Sequence, residues 1–231
     1  PAFTVHTSRH FKEGLNLYDL CITTKRYEIE KYIQSGAKNV EFTLQGIDDR
    51  FVKCSHCANI EGKHRNGTIF IGHREPHYEH TLSALTNEEF SLKIWGPGWD
   101  KIPWRHSKLK RCVQGGPLWG DLYPKTLATA RIGIGLLTKM CPDQFTTRTF
   151  EIPSSGALLI AERNPEHQNL FIEGIEAEYF SSIPELQEKV KYFINNDTER
   201  CKIAKQGQKR ALENYTWNHA LKQIINLIEN I

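Results

Sequence analysis

Short apolar runs separated by amphipathic stretches recur along most of the chain, and their alternation sets the expected architecture. Residues 17–24 (LYDLCITT) and 39–44 (NVEFTL) read as buried strands. Between them, Tyr27, Ile29, Tyr32 and Ile33 suit a helix over 25–34 that ends at Gly36. Residues 46–66 are polar and aperiodic, as expected of a linker. A second series follows, with strands at 67–72, 91–95, 132–137, 157–161 and 177–180. Helices are expected at 76–86, with Pro76 in the first turn, at 123–130, and in a short piece before Gly156. From Ile183 onward the spacing is helical, over 183–194, 203–212 and 219–228.

Strands that alternate with helices in this way imply right-handed crossovers and a mainly parallel sheet. The expected fold is therefore α/β: a Rossmann-like, mainly parallel sheet flanked by helices, preceded by a short β-α-β unit. The expected division is 1–48 for that first unit, 49–66 for a linker, and 67–231 for the larger domain. In such sheets ligands sit beyond the carboxyl ends of the strands, near the point where strand order reverses. The residues just after each strand are the ones to weigh for chemistry.

Composition narrows the function class. The 231 residues are 39% hydrophobic and 25% charged, ordinary for a globular chain. No apolar run approaches the roughly 20 residues needed to span a bilayer, and no signal peptide opens the sequence. A cytoplasmic location is the expectation, with peripheral membrane attachment as its alternative. The net charge of +3 is too mild to argue for nucleic acid. Basic residues crowd 101–111 (KIPWRHSKLKR), which reads either as a solvated loop or as an electropositive lip beside an anionic ligand or membrane surface. Cys54 and Cys57 form a single C-x-x-C with His56 inside it and His64 beyond. Structural zinc needs a second ligand pair at comparable spacing, and no second C-x-x-C appears, so free thiols in a loop are expected and no metal is assigned. The chain opens at Pro1, with Met140 the one methionine, as expected of a fragment or a processed or trimmed chain.

Three strand-end segments carry candidate chemistry. After the 67–72 strand, Gly72-His73-Arg74 leads into a helix. The glycine permits a close ligand approach, and Arg74 can add a charge-assisted bond to phosphate, or the segment is an ordinary βα loop. Gly96-Pro97-Gly98 makes a rigid, open corner, where Trp95 and Trp99 serve either as core or as a wall for a planar base. In 141–162 (CPDQFTTRTFEIPSSGALLIAE), Asp143 and Glu151 stand eight apart with Arg148 between them. A carboxylate placed there can accept two ribose hydroxyls, and a second can reach sugar hydroxyls. Arg148 can meet a diphosphate or fix Glu151. A solvated helix face with a surface ion pair would look the same. Neither G-x-G-x-x-G nor G-x-x-x-x-G-K-[ST] is present, which weighs against dinucleotide oxidoreductases and P-loop enzymes.

Residues 148–162 (RTFEIPSSGALLIAE) resemble the signature of the CgeB-like glycosyltransferases, a branch similar to the retaining, B-type enzymes built from two Rossmann domains. Further pieces fall in the same order: 18–25 (YDLCITTK), 36–40 (GAKNV), 45–48 (QGID), 70–72 (FIG), 94–99 (IWGPGW), 170–171 (LF) and 215–217 (YTW). The resemblance spans nearly the whole chain. It implies a pocket for a nucleoside-diphosphate sugar, with Glu151 holding the ribose. Asp143 stands at the first position of an E-x7-E pattern, one methylene shorter than the family residue. Arg74 and Lys125 match the basic residues that steady the diphosphate; Gly72, His73, Gly96 and Gly98 are candidates for the same ligand from their strand-end positions alone. No cofactor or metal is implied, because side-chain cations and a helix N-terminus offset the leaving-group charge. The acceptor would be a hydroxyl of a glycan, lipid or protein. A whole first domain, usually the acceptor side, is not accounted for by residues 1–48, so transfer by this chain alone is expected to be weak. A non-catalytic nucleotide-sugar-binding domain and a sugar-nucleotide epimerase are the rival readings.

Overall fold

A computed structural model describes residues 9–53, 66–103 and 106–230. They fall into two compact units, one of residues up to Gly46 with those from Tyr215 on, the other Ile47–Asn214. In the first unit, β1 (Cys21–Thr23) pairs in parallel with β2 (Val40–Phe42). α1 (Arg9–Gly14) precedes them and α2 (Ile29–Gln34) connects them. The expected 17–24 strand is shorter than its apolar run, because Leu15–Leu17 forms a 3-10 turn. Helix α10 (Trp217–Glu229) belongs to this unit. The Gln223 amide donates to the Phe42 carbonyl at 3.3 Å, beside the end of β2.

The second unit holds six parallel strands: β3 (Asn66–Ile71), β4 (Leu92–Trp95), β5 (Val113–Gly115), β6 (Ala130–Gly135), β7 (Leu158–Glu162) and β8 (Glu178–Phe180). Their spatial order is β5-β4-β3-β6-β7-β8. Counted within this sheet that is 3-2-1-4-5-6, the doubly wound order whose switch point lies between the first and fourth strands, here β3 and β6. The connecting helices are α3 (Pro76–Ser83), α4 (Ser107–Cys112), α5 (Leu122–Ala128), α6 (Arg148–Ser154), α7 (Pro165–Leu170) and α8 (Ile183–Asn195). After them α9 (Asp197–Asn214) closes the unit.

The sequence of β7 explains its place. Leu158, Leu159, Ile160 and Ala161 are all 0% exposed, so both faces of this strand are covered. That is why it reads as a continuous apolar run rather than an alternating one. One face packs Phe70, Ile94, Ile134 and Ile160 against Leu82, Leu186, Val190 and Ile203 from α3, α8 and α9. Each such side chain contributes about 1.5–3 kcal/mol on burial.

The structure corrects several expectations. The basic stretch at 101–111 is not all loop: α4 forms on the single buried anchor Leu109 and leads into β5, a strand too short and polar to stand out. Helix α7 also went unexpected, although Asn164 caps it by accepting from the His167 N–H at 2.9 Å and Pro165 opens it. The helix expected over 203–212 runs from Asp197 to Asn214, and residues 49–53 of the expected linker are helical. His56, His64, Cys54 and Cys57, with part of the basic stretch, lie outside the described residues.

Candidate functional site

At the carboxyl end of β3 the chain is knitted to the end of β4. The Gly72 carbonyl accepts from the Trp99 indole Nε1 at 2.7 Å, and the Arg74 N–H donates to the Pro97 carbonyl at 3.0 Å. Gly96 must be glycine here. Its φ is +142°, and a Cβ would lie 1.9 Å from the Gly72 carbonyl oxygen. Gly98 follows at φ +83°. Trp99 is 1% exposed and packs edge-on to Phe70, so it is core rather than a wall for a base.

The side chains of this first loop are engaged within α3. Arg74 forms an ion pair with the buried Glu79, whose other oxygen lies 4.0 Å from His106 Nε2. His73 is exposed and sits 3.0 Å from Glu75. Buried Glu75 also accepts from the Thr138 hydroxyl at 2.9 Å. That bond crosses the switch point, from the start of α3 to the loop after β6.

Helix α6 is seated on the same point. Its first residue, Arg148, donates from Nε to the Ile71 carbonyl at the end of β3. Its body lies so close to β6 that a Cβ at Gly133 would fall 2.5 Å from Ile152 Cγ2. Glu151, fourth in the helix, is thereby held largely inside the protein. Its Oε2 accepts from the Tyr123 hydroxyl at 2.5 Å, and Thr147 hydrogen-bonds the same carboxylate. Burial pushes the Glu151 carboxyl above its ordinary range, and the Tyr123 bond, Arg148 and Thr147 only partly oppose this. Burial likewise drives the Tyr123 phenol well above its ordinary value, with Glu151 adding to the effect. Tyr123 in turn rests edge-on against Phe51 at 5.4 Å.

Beyond the ends of β6 and β7 lies an open cleft of about 510 Å³. Lys139, Asp143 and Glu162 are among its lining residues. Glu162, the last residue of β7, accepts from the Leu137 N–H at 2.9 Å and from Lys139 Nζ at 2.5 Å, and lies 3.2 Å from His77 Nε2. Burial alone would raise its carboxyl, but these three partners together hold it below the ordinary range. Buried Tyr78 is raised mainly by burial, with the charges of Glu75, Arg148, Glu162 and Asp143 all acting on its hydroxyl. Asp143 and Glu162 line the same cleft.

The structure thus brings Gly72, His73, Arg74, Gly96, Gly98, Asp143, Arg148 and Glu151 to the carboxyl edge of the sheet. Lys125 is exposed midway along α5, two residues past Tyr123. Glu75, Tyr123, Lys139 and Glu162 were not singled out from sequence. Glu162 had a legible signal, an acid closing an apolar strand. Among the described residues no group of three or more His, Cys, Asp or Glu side chains is arranged to hold a metal ion, and no helix is long and apolar enough to cross a membrane.

Six parallel strands in doubly wound order, with a cleft beyond their carboxyl ends, define a Rossmann-like domain. The chain belongs to the glycosyl transferase-like family, whose model matches residues 74–226. Among solved structures it is similar to HepE of Anabaena in complex with UDP-glucose, at 17% identity and a TM-score of 0.71 over 100% of this chain and 69% of that one. It also resembles the sucrose-phosphate synthase of Thermosynechococcus elongatus, at 14% identity and TM-score 0.66 over 95% of this chain and 60% of that one. A glycosyltransferase of Rickettsia africae matches at 12% identity and TM-score 0.64, over 96% and 67%. At these identities the likeness is one of fold, the B-type glycosyltransferase architecture. No curated protein sequence matches the chain significantly.

Proposed function

We propose that the unit Ile47–Asn214 binds a nucleoside-diphosphate sugar at the β3/β6 switch point, and that the sugar is transferred to an acceptor hydroxyl on a glycan, lipid or protein. The observation that carries this reading is Glu151: a carboxylate withdrawn from water and hydrogen-bonded by hydroxyl groups, on a helix tied to the end of β3. A carboxylate has about four lone-pair positions, so Tyr123 and Thr147 leave room for the paired hydroxyls of a ribose. A buried acid costs stability unless it is used, which favours a binding role over a surface one.

In this reading Asp143 reaches the donor's sugar hydroxyls from the cleft. Arg148 and Arg74 steady the diphosphate, with Lys125 in a lesser role. For Arg74 this requires the guanidinium to share its charge between Glu79 and the donor. Preformed cations and oriented N–H groups would stabilise the leaving diphosphate without a metal. Residues 1–48 would serve the acceptor side, and the closer kinship would be with the CgeB-like branch, with retention at the anomeric carbon. Cytoplasmic location with peripheral membrane attachment fits such an enzyme.

Calorimetric titration with UDP, GDP and their glucose, N-acetylglucosamine and mannose conjugates tests the reading. Saturable binding of one nucleotide series is expected. Absence of affinity for every nucleotide would remove it. Binding without hydrolysis or transfer, in the chain extended by any preceding domain, would favour the non-catalytic alternative.

A further inference from the structure

The opposite edge of the sheet holds a second concavity that the donor site does not use. It lies at the amino end of β4, against α4 and β5, with a volume of about 800 Å³. Lys93, Lys108 and Arg111 line it, against the single carboxylate of Glu88. Leu109 is 0% exposed and pins α4 to the core. Lys108 and Arg111, three apart on that helix, share one face and both line the pocket. Among the described residues neither of them pairs with a carboxylate. Asn87 and Gln114 add amide groups to the lining. Lys108 and Arg111, side by side on one helix face, repel one another, and an anion entering there would relieve that repulsion while gaining charge-assisted hydrogen bonds.

We infer that this pocket, formed by α4 and the amino end of β4, is a binding site for a phosphate ester of a small polyol. Lys93, Lys108 and Arg111 supply the phosphate contacts, and Glu88, Asn87 and Gln114 take the hydroxyls. The same chemistry belongs to a free polyol phosphate and to the headgroup of an anionic phospholipid. Because all six strands are parallel, the pocket and the nucleotide edge lie at opposite ends of the sheet, so both can be occupied at once.

The test pairs calorimetric titration with glycerol phosphate and co-sedimentation with vesicles. One vesicle set holds equal parts phosphatidylglycerol and phosphatidylcholine; the other holds phosphatidylcholine alone. At least one phosphate probe should bind, the affinity should fall as salt rises, and Lys108→Glu/Arg111→Glu should weaken it by about tenfold or more. Binding of free glycerol phosphate marks a soluble ligand. Retention on phosphatidylglycerol vesicles alone marks a membrane headgroup. The milder Lys108→Gln/Arg111→Gln pair should weaken binding in the same direction while preserving the melting transition. UDP affinity should be unchanged in every variant, which separates this site from the donor reading. The inference is overturned if neither probe binds, or if both double variants bind like the parent chain.

Discussion

Two acid-bearing regions of the Ile47–Asn214 unit are built on opposite principles. Around Arg163, just past β7, charge is matched almost group for group. Arg163 Nη2 lies 2.5 Å from Glu173 and 2.7 Å from Glu185, while Lys189 reaches Glu173 at 3.0 Å and Glu178 at 2.6 Å. The Arg163 hydrogen bonds pull the Glu185 carboxyl down to about 2 and that of Glu173 below its ordinary range. Around Glu151 the partners that hydrogen-bond the acid are hydroxyls, and its carboxyl is pushed up instead. The first region ties β7, β8 and α8 together and is complete as it stands. The second holds a carboxylate that burial disfavours, and the proposed ligand role would account for its being kept there.

Substitutions can break this contrast, and the largest effect belongs to the matched region. Arg163→Ala leaves Glu173 and Glu185 without the guanidinium they share. It should lower stability by about 2–3 kcal/mol, reduced from the fully buried case because the cluster is partly solvated. A denaturant melt reads this directly, and nucleotide affinity of the folded variant should be unaltered. A loss under about 0.5 kcal/mol would mean that the cluster is only a surface ion pair.

Next come the opposite pH signs of the two acids. A carboxyl depressed from 4.5 to about 2, as at Glu185, contributes stability above pH 4.5 that disappears as pH falls toward 2. Glu185→Gln should therefore flatten the acid limb of the stability curve. Glu151 has the raised case: its protonated form suits the fold, so stability is lost as pH rises through its folded value. Glu151→Gln should leave the chain at neutral pH as stable as before, or more so by up to about 1 kcal/mol, by removing a desolvated charge. A marked destabilisation by Glu151→Gln would class it with Glu185 as structural. The smallest effect is expected from Tyr123→Phe, which should change nucleotide affinity by about 1 kcal/mol through the lost bond to Glu151, as measured by calorimetry.

Much of this architecture was legible because buried parallel strands leave an unbroken apolar signature, as in 67–72 and 157–161. Elements with a single buried anchor escaped notice. Helix α4 rests on Leu109 and looks like any basic loop; helix α7 has only six residues. At the candidate site, Glu151 and Arg148 were proposed from their local spacing and the family resemblance. Their partners were not, since Tyr123 lies 28 residues from Glu151, and Arg148 reaches back 77 residues to Ile71. Such pairs exist only once the sheet order is set, and sequence spacing carries no trace of them.

The central claim is that Glu151 grips the hydroxyls of a ribose, and the most direct test removes each side of that contact in turn. UDP and its 2′,3′-dideoxy analogue, or the matching pair for whichever base binds, are titrated into the parent chain and into Glu151→Gln. The parent should prefer the intact ribose by about 1–3 kcal/mol, and the variant should lose most of that preference. Equal discrimination by the two proteins would contradict the account.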